Sequence, residues 1–362
     1  MSNKKKKVLF YGILRPKRSP SQRYRIEQFF PVLDENKISY DYAFLLNKKM
    51  DDNLYAPGKY IQKVCIVLWC YIRLSYDWLF KVGRYEYVFV ERELLMLGSS
   101  FFERKFAKKT KLIYDFDDAL WMLNISEANK KLAFLKNPSK VRDIIKSAHL
   151  VVAGNQFLAD YALQFNTNVR IIPTVIDTEH YKRKADIAPK HEGKVCIGWS
   201  GSHTTIEHFK VLQPTLKKLL NKYPNRVYFK VIGAPNYHNS DLGITGIPWT
   251  EETEVGELEE IDIGIMPLPN DIWSKGKCGL KGLVYMAMGI PNIMSAVGVN
   301  TEIVKHNENG FLCQTEADWL DVFDLLIQDF ELRKRIGESG RKTIIEQYSV
   351  QAVEQDFIKL FT

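Results

Sequence analysis

A chain of 362 residues, 46% of them apolar, is too long for one ordinary core and too hydrophobic to remain disordered, so two folded domains are expected. The net charge of +8 is uneven: residues 1–170 hold 30 Lys and Arg against 17 Asp and Glu (+13), and residues 171–362 hold 21 against 26 (−5). A basic first half suits an anionic membrane surface, a nucleic acid or a phosphorylated substrate, or is simply a basic surface. The five scattered cysteines lack metal-ligand spacing, which argues against a disulfide framework and suits a reducing cytoplasm.

In chain order, MSNKKKKVLFYG passes from four lysines straight into a strand, without the apolar stretch and cleavage site of a signal peptide. The strand KVLFYGI enters a basic loop, LRPKRSPSQRYR (14–25), and then a helix is expected over YRIEQFFPVLDEN. Gly12, Arg15, Arg23 and Arg25 stand at this junction as candidates to bind an anionic or lipid-diphosphate-linked acceptor; a plain solvated loop is the alternative. Tyr24 among the charges also fits nucleic acid, but a nucleic-acid binder would leave the block at 274–311 unexplained. The longest strongly apolar run, VCIVLWCYI (64–72), is too short to cross a bilayer. The wider segment 59–84 sets Lys59, Lys63, Arg73, Lys81 and Arg84 around Trp69, Tyr71, Tyr76, Trp78 and Phe80. As a helix it would either lie in a membrane interface or be buried against a sheet.

Apolar strands are expected at 85–91, 111–116, 149–154 and 169–176, with crossover helices between them. The stretch 171–194 reads as a linker with a boundary near 175–190, separating an acceptor-side domain (1–175) from a second domain (176–345). The second half repeats the plan: strand and glycine loop at 194–201, a helix at 207–223, strands at 227–233 and 261–268, a helix at 280–288 and a strand at 291–297. Two helices then span 316–347 with Gly337 and Gly340 near their junction, and a last amphipathic helix within 346–362 is expected to pack back on the first domain. The fold expected is therefore α/β, two Rossmann-like domains facing each other across a cleft, with ligands at the carboxyl ends of the strands.

Residues 274–281, SKGKCGLK, carry the chemistry. Lys275, Lys277 and Lys281 stand at or near a helix start, where unpaired amides offer a positive field, and Gly276 and Gly279 let the backbone come close. A second glycine loop, GWSGSHTT (198–205), again follows a strand. Each loop alone is as readily a plain turn; together they suggest a nucleotide diphosphate. Neither has the GxxxxGK[ST] form, and the first-half loop is not GxGxxG. His203 in the glycine loop either touches phosphate or a sugar hydroxyl or is ordinary surface, whereas His149 and His208 read as structural.

The segment 261–312, from IDIGIMPL through the Lys/Gly loop, YMAMGIPNI and VGVNTEIV to NGFL, resembles the donor-binding core of the GT-B retaining glycosyltransferases called group 1, or family 4. IIPTVIDTEHY is similar to that family's interdomain stretch, IGWSGSHTT to its donor-domain glycine loop, and YDFDDALW to a first-domain signature of one branch. The resemblance implies transfer of a sugar from a nucleotide diphosphate sugar, the co-substrate, to a glycan, lipid-linked or other acceptor with retention of configuration. It places Gly201 and Ser202 by the sugar-phosphate and Lys277, Cys278, Gly279 and Lys281 around the diphosphate, with Gly198, His203 and Lys275 as further donor-binding candidates. Glu302 matches the carboxylate after the glycine turn, and Trp249 is either a base platform or core. The family's paired glutamates would fall near Gly276 and Val284, and neither is acidic.

Lys277 and Lys281 are the residues expected to stabilise the departing diphosphate. No DxD motif lies in a donor loop, so no metal and no other cofactor is expected. Asp117 and Asp118, after the strand 111–116, would orient an acceptor hydroxyl or steady a positive sugar centre; the alternative is a helix cap before ALWML. The location expected is cytoplasmic, with peripheral contact to the inner face of the membrane through the basic half. Rival readings are a nucleotide-sugar 2-epimerase, which needs no acceptor, and a non-catalytic GT-B partner protein; a dehydrogenase lacks its fingerprint.

Overall fold

The computed structural model describes residues 7–56, 58–122, 137–182 and 193–362. The four-lysine start, apart from Lys7, and the middle of the expected linker (183–192) lie outside them. The chain divides into two compact units, Met1–Thr174 with Glu354–Thr362, and Val175–Val353.

The first unit is built on six parallel strands, β1 (Lys7–Leu14), β2 (Ser39–Leu46), β3 (Tyr87–Glu91), β4 (Lys111–Phe116), β5 (Leu150–Ala153) and β6 (Val169–Ile171), in the order β2-β1-β3-β4-β5-β6. The central strands are apolar on both faces because helices cover both: Val8, Leu9, Phe10 and Tyr11 in β1 and Val88, Phe89 and Val90 in β3 have no exposed surface. Two aromatics from the last residues complete this core. Phe357 stacks on Phe29 with centroids 3.9 Å apart, and Phe361 meets Phe10 edge-on at 5.9 Å. The single helix expected after β1 is broken into Pro20–Arg25, a tight turn at Glu27–Phe29, and Phe30–Glu35. Pro31, in the first turn of the last piece, has no N–H to continue a helix from upstream.

The second unit holds five parallel strands, β7 (Val195–Ser200), β8 (Val227–Ile232), β11 (Ile263–Met266), β12 (Asn292–Ser295) and β13 (Phe311–Cys313), ordered β13-β12-β11-β7-β8. A small antiparallel pair, β9 (His238–Asn239) and β10 (Ile244–Thr245), follows β8. The strand order reverses between β7 and β11, and at such a switch point the loops leaving neighbouring strands part to leave a crevice. The expected helix 207–223 is two helices, Ile206–Lys210 and Gln213–Lys222, because Pro214 opens the second. Gly337 and Gly340 are not at a junction. They lie inside helix Phe330–Thr343, and a Cβ on Gly337 would stand 2.1 Å from the Gly289 carbonyl oxygen, so the glycine permits close backbone packing. The break falls instead at Asp329, whose side chain caps the second helix.

The start of the expected linker is fixed in the second unit. The Ile176 amide donates to the Tyr348 carbonyl at 2.8 Å, buried Tyr181 donates to Glu254 at 2.7 Å, and Arg341 donates to the Tyr181 carbonyl at 2.9 Å.

Candidate functional site

At the carboxyl end of β7 the chain turns sharply through Gly201. Its amide donates to the Ile232 carbonyl at 2.9 Å, while the Ser200 amide donates to Tyr285 Oη at 2.7 Å, which pins the turn to the helix Leu280–Ala287. A Cβ on Gly201 would lie 2.8 Å from Lys281 Cε, so the lysine stem runs where a side chain would otherwise stand. Lys281 Nζ sits 5.5 Å from the centroid of the buried Trp199 ring. Gly233, at the end of β8 with φ +87°, backs onto the same turn: a Cβ there would be 2.0 Å from the Gly201 carbonyl oxygen and 3.5 Å from Trp249 Cβ. Gly201, Lys281 and half-buried Trp249 thus gather at one edge of the sheet.

The Lys/Gly loop reaches this edge through two glycines. Gly279 caps the start of Leu280–Ala287 at φ +72°, where an added Cβ would meet Ile303 Cδ1 at 2.4 Å. Gly298, at φ +54°, lets the Lys275 backbone pack on it, with Lys275 Cα 2.9 Å from the missing Cβ. Lys275 itself is exposed, Lys277 is half-buried with Nζ 4.7 Å from the Trp273 ring centroid, and Cys278 is buried. Glu302 is exposed on the short helix Asn300–Ile303, and its charge helps burial to raise the Tyr348 pKa. Ser202 and His203 are exposed in the glycine loop, where the Ser202 amide donates to Thr205 Oγ1 at 3.1 Å.

His208, read from the sequence as structural, belongs to the same cluster. Burial first, then the Lys281 and Lys277 charges, push its pKa down to about 4. Its Nδ1 is buried with no hydrogen-bond partner among the described residues, as are Ser274 Oγ and Asn300 Oδ1 in the short helices Ile272–Lys275 and Asn300–Ile303. No sequence signal marked His208, because its partners lie some seventy residues away in the chain.

Gly198 is held within the sheet. It lies inside β7, paired with Gly264 and Lys230, and its missing side chain is filled by Ile261, whose Cδ1 is 2.3 Å from the Cβ position; it is a packing residue of the core.

The first unit gathers charge where β3 and β4 end. Asp117 accepts from Ser21 Oγ and from Arg92 Nε, both at 2.8 Å, and Asp118 lies 3.4 Å from Arg92 Nη2. Burial alone would raise the Asp117 pKa, yet Arg92 and Arg25 hold it below the usual carboxylate range. Glu91, buried and hydrogen-bonded to Ser21, is raised instead, by burial first and by Asp117 against the opposing pull of Arg92. Arg92 holds a left-handed φ of +59°, and its amide donates to the Asp115 carbonyl at 2.7 Å. Glu91, Arg92 and Ser21 were missed by sequence reading. A carboxylate at the carboxyl end of a buried strand was the available signal. The described residues after Asp118 form a turn through Met122, and the chain from Leu123, where the alternative of a helix cap would be decided, lies outside them.

Two of the proposed acceptor residues are packed into the first unit. Arg25 is buried and donates to Asp115 through Nε at 3.0 Å and to the Ile172 carbonyl through Nη1 at 2.7 Å, so it braces the unit. Gly12 is inside β1, and a Cβ there would lie 2.7 Å from Gln22 Nε2. Arg15 is bound with Arg18 to buried Asp51, at 2.8 and 2.7 Å, and Arg23 lies over the Tyr24 ring at 4.8 Å. Among the described residues, no group of three or more His, Cys, Asp or Glu is placed to hold a metal ion.

The chain is similar over 98% of both lengths to the sucrose-phosphate synthase of Thermosynechococcus elongatus, with a TM-score of 0.72 at 12% identity. It is likewise similar to Anabaena Alr3699/HepE, solved in complex with UDP and glucose, with a TM-score of 0.62 at 14% identity over 98% of this chain and 99% of that one. The fold is GT-B. Residues 266–343 of this GT-B chain match the family described as glycosyl transferases group 1, a stretch that holds the Lys/Gly loop, the helix after it and Glu302. The chain is also 32% identical over 90 residues to N-acetyl-alpha-D-glucosaminyl L-malate synthase of Bacillus anthracis, a match spanning 24% of this chain and 23% of that relative.

Proposed function

We propose that this chain is a retaining glycosyltransferase that moves a sugar from a nucleotide diphosphate sugar to a glycan or lipid-linked acceptor. The observation that carries the reading is the Lys281 stem lying where a Gly201 side chain would stand, in the unit that also holds the buried, unpartnered Nδ1 of His208. Lys281 and Lys277 both lower the His208 pKa, and an anionic diphosphate is the ligand we propose for that positive field. The match to glycosyl transferases group 1 over 266–343 supports the same placement. Uridine is the base we propose first, because Alr3699/HepE was solved with UDP and glucose.

In the transfer, the bond between the anomeric carbon and the diphosphate oxygen breaks, and a bond from the acceptor hydroxyl oxygen to that carbon forms on the same face. The hydroxyl proton passes to the departing diphosphate oxygen. Lys277 and Lys281 stabilise the charge that grows on the leaving group, and they are already in place before it develops. Val284 is buried and has no acceptor for a ribose hydroxyl, so the exposed Glu302 carboxylate is proposed as the partner of donor hydroxyls. Asp117 and Asp118, held ready by Arg92, are proposed to receive the acceptor.

A thermal-shift screen with uridine, guanosine, adenosine and thymidine diphosphates and their sugars tests the reading. A rise in melting temperature with one base, followed by acceptor-dependent transfer with retained anomeric configuration, is expected. Turnover of the nucleotide sugar without acceptor would establish the epimerase instead, and the absence of a shift with every nucleotide would establish the non-catalytic partner.

A further inference from the structure

Eleven of the nineteen large hydrophobic side chains exposed on the described surface fall between Tyr55 and Phe80. Most belong to the helix Tyr60–Tyr76 and the wide turn Asp77–Lys81 that continues it. The helix buries Ile66, Cys70 and Leu74, one side chain per turn. It is fastened to the unit by Tyr11 Oη, which donates to Asp77 at 2.9 Å, and by the edge contact of Tyr71 with Phe102 at 5.5 Å. The opposite face is just as apolar. Ile61, Val64, Leu68, Ile72 and Tyr76 recur at steps of three and four and are 55–78% exposed. A helix apolar on two opposite faces is stable in water only if something covers the outer one.

The charges nearby select the cover. Between residues 59 and 84 there are five basic side chains and one acid, Asp77, which is buried and paired with Arg73 at 3.2 Å. Lys105 and Lys109 add two more, 4.9 and 5.3 Å from the Trp78 ring centroid. A second copy of the chain would bring the same positive charge to this face, whereas an anionic bilayer brings the opposite. The helix is about 25 Å long, and no helix among the described residues is long and apolar enough to cross a membrane.

We propose that this face docks on an anionic lipid bilayer, the helix Tyr60–Tyr76 lying in the interface plane. Ile61, Leu68 and Ile72 enter the upper acyl region, Trp69 and Tyr76 sit at headgroup depth, and the surrounding lysines meet lipid phosphates. The inference does not depend on the nucleotide site.

Co-sedimentation of the full chain with vesicles tests it, using phosphatidylcholine alone and phosphatidylcholine mixed with phosphatidylglycerol. The wild-type chain is expected to bind the anionic vesicles, to bind neutral ones more weakly, and to lose affinity as salt is raised. The variant Leu68→Glu/Ile72→Glu is expected to bind about tenfold or more weakly. Both positions are exposed, so its melting temperature checks the fold; if it does not fold, Ile61→Glu at the far end of the stripe takes its place. Absence of binding by the wild-type chain, or equal binding by a folded variant, overturns the proposal. So does a dimer in sedimentation velocity that the substitutions break while no form binds vesicles, because a second copy would then be the cover.

Discussion

Replacing Lys281 with alanine is the most direct perturbation of the proposed donor site. The side chain is half-buried, its stem against Gly201 and its ammonium over Trp199, and its charge is the larger of the two that lower the His208 pKa. Removing one charge-assisted hydrogen bond to a phosphate costs about 1.5–3 kcal/mol, or about 10- to 150-fold in the dissociation constant. Calorimetric titration with the nucleotide diphosphate that gives the largest thermal shift reads this directly. The same substitution is expected to move the His208 titration upward, readable by NMR of the imidazole protons. If His208 moves and affinity changes less than about twofold in a folded variant, the lysine stands by the histidine but not by a phosphate, and the placement fails.

His208 also gives an acid-stability signature. Its folded pKa, about 4, lies below the ordinary histidine value, so on acidification the unfolded chain takes the proton first. The stability it contributes is complete above about pH 6.5 and is lost as pH falls toward 4, on the order of 3 kcal/mol. His208→Gln is expected to flatten that window in urea melts. Asp115→Asn leaves the Arg25 guanidinium buried without its carboxylate and is expected to cost about 3–5 kcal/mol in the same melts. Gly279→Ala must hold φ +72° and displace Ile303, and an expected loss of about 1–3 kcal/mol contrasts with Gly256→Ala, whose added Cβ meets nothing within 4 Å and should be neutral or stabilising.

The strands were legible because both sheets are parallel and covered on both faces. KLIYDF and IDIGIMPL are runs that admit few other readings. Glycine punctuation was legible only in part. Gly279 and Gly298 mark left-handed turns, whereas Gly198, Gly337 and Gly340 mark close packing, and one sequence does not separate the two uses. The helices after β1 and β7 broke where a proline sat inside an apolar period, a local rule that the longer pattern obscured. The Lys/Gly loop announced itself because its residues are neighbours in the chain. His208 and the Ser21–Glu91–Arg92–Asp117 cluster did not, because folding assembles them from separate strand ends, and Arg25 read as a ligand-facing charge until its partner Asp115 came from ninety residues away.

Charge shows why local assembly matters more here than totals. The chain carries +8, yet the half that holds Lys277 and Lys281 carries −5. A diphosphate drawn by net charge alone would not go there, and beyond about 10 Å ordinary salt screens what field remains. At the proposed donor site, what would favour an anion is short-range: two ammonium groups, a helix start opened by Gly279 and a histidine kept neutral by its surroundings. The excess of +13 in residues 1–170 is therefore free for a different use, and it falls in the same half as the helix Tyr60–Tyr76, whose outward stripe is apolar. Arg25, Arg92 and Lys140 are matched to carboxylates inside the unit, so the unmatched excess sits on other side chains of this half. Lys59, Lys63, Lys105 and Lys109 lie beside or near the apolar stripe, where charge and exposed hydrophobic surface together favour an anionic interface more than either does alone.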